Sequence, residues 1–411
     1  MNMKQQELIP HLFRTEYRKI ISVLCRHFGF EQIENAEDIA SDTFLTAAQT
    51  WSLNGIPPNP VAWLYNVAKN KAKNFLQRNN LFQNKISPEI RKTSSELYRA
   101  EIDLSPQNIN DSQLQMMFAI CHPSISTEAQ VGLSLRILCG FGIEEIADAF
   151  LTSKETINKR LFRAKEKLRE DQVKIELPAA TEIDKRLETV LTTIYLLFNE
   201  GYYSVSQDTI IRKDLCVEAM RLCTMLTENE STNKPQVNAL LALMCFHASR
   251  FDARLDNNGE LILYEDQDTG LWNSELIARG GYYLKYASTG DRLSKYHLEA
   301  AIAWWHTQKE STAEKWENIL QLYNRLLQIE YSPIAALNRT FALSKANGKK
   351  EAIAEAEKLK LIDNQFYFML LGELYTDNDN EKAKENFKKA LSLAKTEPDR
   401  HAIQRRIDAL S

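Results

Sequence analysis

The side chains with most chemistry to offer are cations. Across residues 152–169 the apolar residues Ile157, Leu161, Ala164 and Leu168 recur at steps of four, three and four, which places them on one helical face. The other faces carry Lys154, Lys159, Arg160, Arg163, Lys165, Lys167 and Arg169. Ammonium and guanidinium groups at that density suit phosphates, while Asn and Arg side chains suit base edges. Thr152 is expected to cap the first exposed amides, with Glu155 reaching back from three residues on in a capping box. Shorter amphipathic stretches precede this helix at 127–140 and 143–150, so the outline is a helix-turn-helix. A solvated basic helix packed on two others would read the same way, and the rest of the chain has to decide.

A chain of 411 residues exceeds one small core, and about 150 residues per domain suggests two or three units. Thirteen Gly and eleven Pro are few for this length, which favours long helices with short connections and predicts an all-α fold. The net charge of −4 decides nothing about nucleic acid, but its distribution does: residues 69–92 hold seven Lys and Arg against Glu89 alone. Six scattered cysteines include no C-x-x-C pair, which fits reduced, buried thiols and no zinc site. There is no apolar leader at the N-terminus and no run of about 18 apolar residues, so a cytoplasmic protein without membrane contact is expected.

Three helices are predicted before the basic cluster, at 8–28 with Gly29 ending it, at 36–51, and at 61–79. The second begins with Glu34, Glu37, Asp38 and Asp42, acids that suit the positive end of a helix dipole. Between the second and third lies Asn54-Gly55-Ile56-Pro57-Pro58-Asn59-Pro60, a stiff loop that no helix accommodates.

Residues 36–44, reading AEDIASDTF, followed by Trp51 and by PVAWLYNVAKN at 60–70, resemble region 2 of bacterial sigma factors. The nearer likeness is to the extracytoplasmic-function (ECF) group of the sigma-70 family. Glu144-Glu145-Ile146-Ala147 and TINKRLFRAK at 156–165 resemble region 4 of the same group. The resemblance implies two DNA-binding modules, region 2 at 8–80 and region 4 at 112–172, joined by a linker at 81–111. It implies core RNA polymerase, through its β′ clamp helices and β flap, and promoter DNA as partners, with no cofactor, metal or catalytic residue. Glu37, Asp38 and Asp42 would meet the polymerase. Asn54, Trp63, Asn66, Lys69, Asn70 and Lys73 would hold the −10 element as single strand, with a flipped base in a pocket of the loop. Lys154, Thr156, Asn158, Lys159, Arg160 and Arg163 would meet the −35 element, Asn158 and Arg160 at base edges. Asn74 departs from the pattern, since the group usually carries an acid there.

A minimal ECF factor would stop near Arg169, so residues 178–411 form an extension. Helical patterns fill it, and from about 316 the spacing of Phe368, Leu371, Gly372, Tyr375, Ala383, Phe387 and Ala390 approaches a tetratricopeptide repeat. The whole resembles an ECF subgroup with such an extension, whose concave surface would take a protein or peptide partner. Asn258-Gly259 suggests a small β-hairpin at 255–263. An EF-hand is excluded there, because Arg254 stands where the first acid belongs. Glu265, Asp266 and Asp268 with His247, His297 and His306 offer metal or hydrolytic chemistry in principle, but no motif joins them, and packing roles are expected. Two rivals remain at this stage: a one-component DNA-binding regulator with a helical sensor, and an enzyme carried by the extension.

Overall fold

Long apolar stripes with few breakers produce helices throughout. The computed structural model describes residues 3–86, 102–150, 152–202, 213–254, 262, 264–394 and 397–410. Among these residues every element is helical, as expected for an all-α chain. Residues 87–101 of the linker predicted at 81–111, and all of the hairpin predicted at 255–263 except Ile262, lie outside the described residues. The chain divides into two compact units, Met1–Glu200 with Glu228–Thr232, and Gly201–Thr227 with Asn233–Ser411.

In the first unit, α1 (Met3–Phe28) buries Tyr17, Ile20, Ile21 and Leu24 and ends at Gly29, whose φ of 86° only glycine adopts easily. It packs on α2 (Ile33–Asn54) and α3 (Pro60–Ile86). Phe13 stacks on Tyr17 at 4.4 Å and meets Phe44 edge-on at 5.1 Å, joining α1 to α2. Helix α4 (Pro106–Ile120) starts inside the stretch expected to be linker. Ser105 caps it by accepting from the Asn108 N–H, Pro106 fits the first turn, and Ile109 and Leu114 are buried. Next come α5 (Thr127–Leu133), a π turn at Ser134–Leu138, α6 (Ile143–Ala149) and α7 (Lys154–Glu170).

Helix α8 (Ala180–Tyr202) follows the expected boundary at 178. All but its last two residues belong to the first unit. Arg186 donates to the Phe118 carbonyl at 2.6 Å, Thr193 donates to Gln130 Oε1 at 3.2 Å, and Ile183, Leu187, Val190, Leu191, Ile194 and Leu197 are buried.

The second unit is built from α9 (Lys213–Thr227), α10 (Pro235–Ala248), α11 (Ser274–Ala287), α12 (Lys295–Thr307), α13 (Ala313–Ile329), α14 (Pro333–Ala346), α15 (Lys349–Leu359), α16 (Gln365–Tyr375), α17 (Asn380–Leu393) and α18 (Glu397–Ala409). Helix α10 is apolar almost all round and is buried from Val237 to Phe246, as a central helix must be. From α11 onward each helix packs on the next in sequence. Gly372 makes the α16 to α17 approach possible, since a Cβ there would stand 2.5 Å from the Phe387 ring. All six cysteines are free and buried, and burial pushes the Cys121 thiol up to about 11.

Candidate nucleic-acid interface

Local chemistry sets the start of α7 one residue later than expected. Ser153, not Thr152, is the N-cap, with extended backbone (φ −80°, ψ 153°) and an Oγ that accepts from the Thr156 N–H at 3.2 Å. Glu155 therefore sits in the first turn, where a hydrogen bond from its own backbone N–H and one with Ser153 hold its carboxyl below the ordinary range. Ile157, Leu161, Ala164 and Leu168 are buried, as their spacing requires.

Of the six residues expected to meet the −35 element, Thr156, Asn158, Lys159 and Arg163 are exposed. Lys154 is exposed too but ion-paired to Glu144 of α6. Arg160 is half-buried, with its guanidinium 5.7 Å from the centre of the Phe150 ring. Phe162 is the residue that sequence reasoning passed over. It is 62% exposed beside Asn158 and Lys159, an apolar ring on an otherwise polar face. A phenylalanine that breaks the buried spacing of 157, 161, 164 and 168 was the available signal.

In the other module α2 ends at Gly55, whose φ is 82°, and Asn59 restarts the chain by accepting from the Ala62 N–H at 3.0 Å. Along α3, Trp63, Asn66, Asn70 and Lys73 fall at steps of three, four and three and so share one stripe. Asn66, Asn70 and Lys73 are exposed, Trp63 is half-buried and edge-on to Trp51 at 5.3 Å, and Lys69 is half-buried at the margin. Asn54 is exposed at the loop's entrance, and its neighbours Leu53 (85%) and Ile56 (37%) also present apolar surface to solvent.

The three acids of α2 expected to meet the polymerase, Glu37, Asp38 and Asp42, are separated by the fold. Asp38 and Asp42 open onto a groove of ≈ 680 Å³ between α2 and α3, which Lys71, Asn74 and Arg78 also line. Lys71 is 3.7 Å from Asp42. Glu37 instead faces α7 and the π turn, 2.5 Å from Lys165 and 3.5 Å from Arg136.

In the second unit Glu265, Asp268 and His297 are each engaged by a different partner. Glu265 pairs with Lys345 at 2.6 Å, and Asp268 caps a turn through the Gly270 N–H at 2.7 Å. The Ser294 N–H donates to His297 Nδ1 at 3.1 Å, and His297 Nε2 is 3.2 Å from the Ala287 carbonyl. His306 lies 4.8 Å from the Tyr264 ring, and burial, with Arg250 and Lys315 nearby, pushes its pKa down to about 3. Among the described residues no group of three His, Cys, Asp or Glu is placed to hold a metal.

Residues 12–81, which contain the acidic helix, the loop and the Trp63 stripe, match the family model for Sigma-70 region 2. The chain belongs to the sigma-70 family. Within it, the chain is 28% identical over 178 residues to the RNA polymerase sigma factor YlaC of Bacillus subtilis (strain 168), which covers 42% of this chain and 96% of that protein. It is also 32% identical over 390 residues to the uncharacterized protein R00370 of Rhizobium meliloti (strain 1021), covering 93% of this chain and 91% of the relative. That relationship therefore extends well beyond the residues matched to Sigma-70 region 2. Residues 186–288 of this sigma-70 family chain match a family of unknown function, DUF6596. No solved structure matches it. No described helix of the chain is long and apolar enough to cross a membrane.

Proposed function

We propose that this RNA polymerase sigma factor is of the ECF type, and that its two modules grip the two promoter elements. The observation that carries the reading is the company of two surfaces in one chain. Within the residues matched to Sigma-70 region 2, Trp63, Asn66, Asn70 and Lys73 line one edge of α3 beside the loop at 54–60. About 80 residues on, α7 offers Asn158, Lys159, Phe162 and Arg163 on an open face.

In this reading Asp38 and Asp42, and Glu37 once released, meet the β′ clamp helices. The α3 stripe and Asn54 hold the −10 element as single strand, Trp63 stacking and the amides and cations taking base edges and phosphates. Leu53 and Ile56 line the pocket for a flipped base, whose capture offsets lost stacking. At the −35 element Asn158 reads a base edge, Phe162 packs on a thymine methyl, Lys159 and Arg163 hold phosphates, and Lys154, Thr156 and Arg160 orient the helix. Melting runs on binding energy, with no covalent step. The late helical hairpins act as tetratricopeptide-like repeats that dock a protein or peptide segment, and the protein works in the cytoplasm.

Transcription in vitro with purified bacterial core RNA polymerase tests this. Promoter-specific initiation that depends on the added chain supports the reading, and its absence on every template of a genomic library overturns it.

A further inference from the structure

Two cations of the second unit share one aromatic ring and, among the described residues, have no anion paired with them. Lys315, near the start of α13, is 2% exposed, and its ammonium donates to the Tyr264 hydroxyl at 2.9 Å and to the Gln308 carbonyl at 2.7 Å. Both acceptors are neutral. Arg250, just past the end of α10, holds its guanidinium 5.3 Å from the centre of the Tyr264 ring, and Lys315 Nζ lies 5.4 Å from the same centre. Of the five N–H donors a guanidinium offers, one meets a side-chain acceptor, the Tyr202 hydroxyl at 3.5 Å. Glu265, the acid adjoining Tyr264, is held by Lys345 at 2.6 Å. Two further polar atoms close by are buried without a hydrogen-bond partner: His306 Nδ1, its ring 4.8 Å from that of Tyr264, and Trp272 Nε1, its ring 6.3 Å away.

Neighbouring groups register the same imbalance. Burial lowers the Lys315 pKa and Arg250 lowers it further, while burial, Arg250 and Lys315 together lower that of His306. No carboxylate counters them. A ring face attracts a cation, but it returns only part of what a charge loses on leaving water, and donors without acceptors add to the cost. Buried charges are as a rule paired, so an anion is the missing member. Two uncompensated positive charges match a dianion, and a guanidinium fork beside an ammonium suits the oxygens of a phosphoryl group better than the single charge of one carboxylate. We propose that Arg250 and Lys315, grouped round Tyr264 with Trp272 and His306, form a binding site for a phosphoryl group, carried by inorganic phosphate or by a small phosphate ester. The Tyr264 hydroxyl donates to the His306 carbonyl at 2.9 Å, which turns its lone pair to Lys315 and fixes the ammonium. Arg250 and Tyr264 are both partly exposed, so the site is reachable from solvent. Arg250, Tyr264 and Trp272 fall within the residues matched to DUF6596, and His306 and Lys315 lie beyond them. All five belong to the second unit, and the site does not depend on the sigma reading.

Isothermal titration calorimetry on the full chain tests this, at constant ionic strength in a phosphate-free buffer. Inorganic phosphate is titrated in one arm, adenosine monophosphate in a second, and succinate, a dianion without phosphorus, in a third. One phosphoryl group per chain is expected, with succinate binding about tenfold more weakly or not at all. Binding of inorganic phosphate assigns the site to the free ion, and binding of the ester alone assigns it to an organic phosphate. Lys315→Met and Arg250→Gln should each weaken binding about tenfold, and Arg250→Lys, which keeps the charge but loses the fork, should weaken it less than Arg250→Gln. Circular dichroism of each variant without ligand reports whether it folds. If Lys315→Met does not, Arg250→Gln decides, since that side chain is partly exposed. No binding in either phosphate arm at millimolar concentration overturns the site. Binding that the folded variants leave unchanged overturns it too, as does succinate bound as tightly as phosphate.

Discussion

On the proposed reading, single side chains on α7 divide into readers and struts. Asn158 is exposed and unencumbered by a neighbouring helix, so Asn158→Ala should cost about 1–3 kcal/mol of discrimination at one base pair while leaving the melting temperature unchanged. Binding to a set of single-base promoter variants measures that. Lys159→Ala should instead weaken all sequences alike and lower the slope of log affinity against log salt by about one. Arg160 differs from both because it rests on Phe150, so Arg160→Ala should reduce stability as well as promoter choice. In the second unit His306 is held neutral by burial. Its folded pKa of about 3 lies below the unfolded value, so the unfolded chain takes up the proton first and stability falls as pH drops below about 6.5. Urea midpoints at pH 7.5 and 5 should differ, and His306→Phe should flatten the difference.

At the scale of elements, caps and close approaches carry measurable weight. Ser153→Ala removes the acceptor for the Thr156 N–H and should cost about 0.5–2 kcal/mol, read as lower stability and weaker promoter binding together. Gly372→Val should cost more, because its side chain would meet the Phe387 ring, whose neighbours Ala383 and Ala390 are fully buried and leave no room to retreat. Much of this layer was legible. Gly29 stopped α1 and the four-three-four spacing of α7 gave its buried face, since local chemistry decides both. Helix α4 was missed at its start because Gln107, Asn108, Asn110 and Asp111 carry no apolar period, and only Ile109 reports the buried side. The first cap went to Thr152 because Thr and Ser are equal candidates in sequence, and backbone direction decides between them. The pairing of Glu37 with Lys165 was illegible for a different reason. The two are 128 residues apart, and nothing local distinguishes a carboxylate awaiting a partner from one serving a helix dipole.

For the whole molecule, the division at Glu200 changes where the chain can be cut. A protein ending at residue 200 lacks only Glu228–Thr232 of the first unit and should keep most of its thermal stability. One ending at 177 loses α8 and strips cover from Phe118 and Gln130, so it should melt lower by many degrees or fail to fold, as circular dichroism would show. The π turn at Ser134–Leu138 bears on the molecule at the same scale. A π turn holds one residue more than an α-helical path would, and each residue of an α-helix advances the face by about 100°. It acts as a phase setting, fixing the azimuth at which everything after residue 138 leaves the core. Deleting one residue there would let the helix close regularly yet rotate the downstream module, turning the open face of α7 to a new azimuth without altering a residue on it. A substitution among the buried residues of this stretch disturbs packing where it stands, whereas a change of length acts on the whole module that follows.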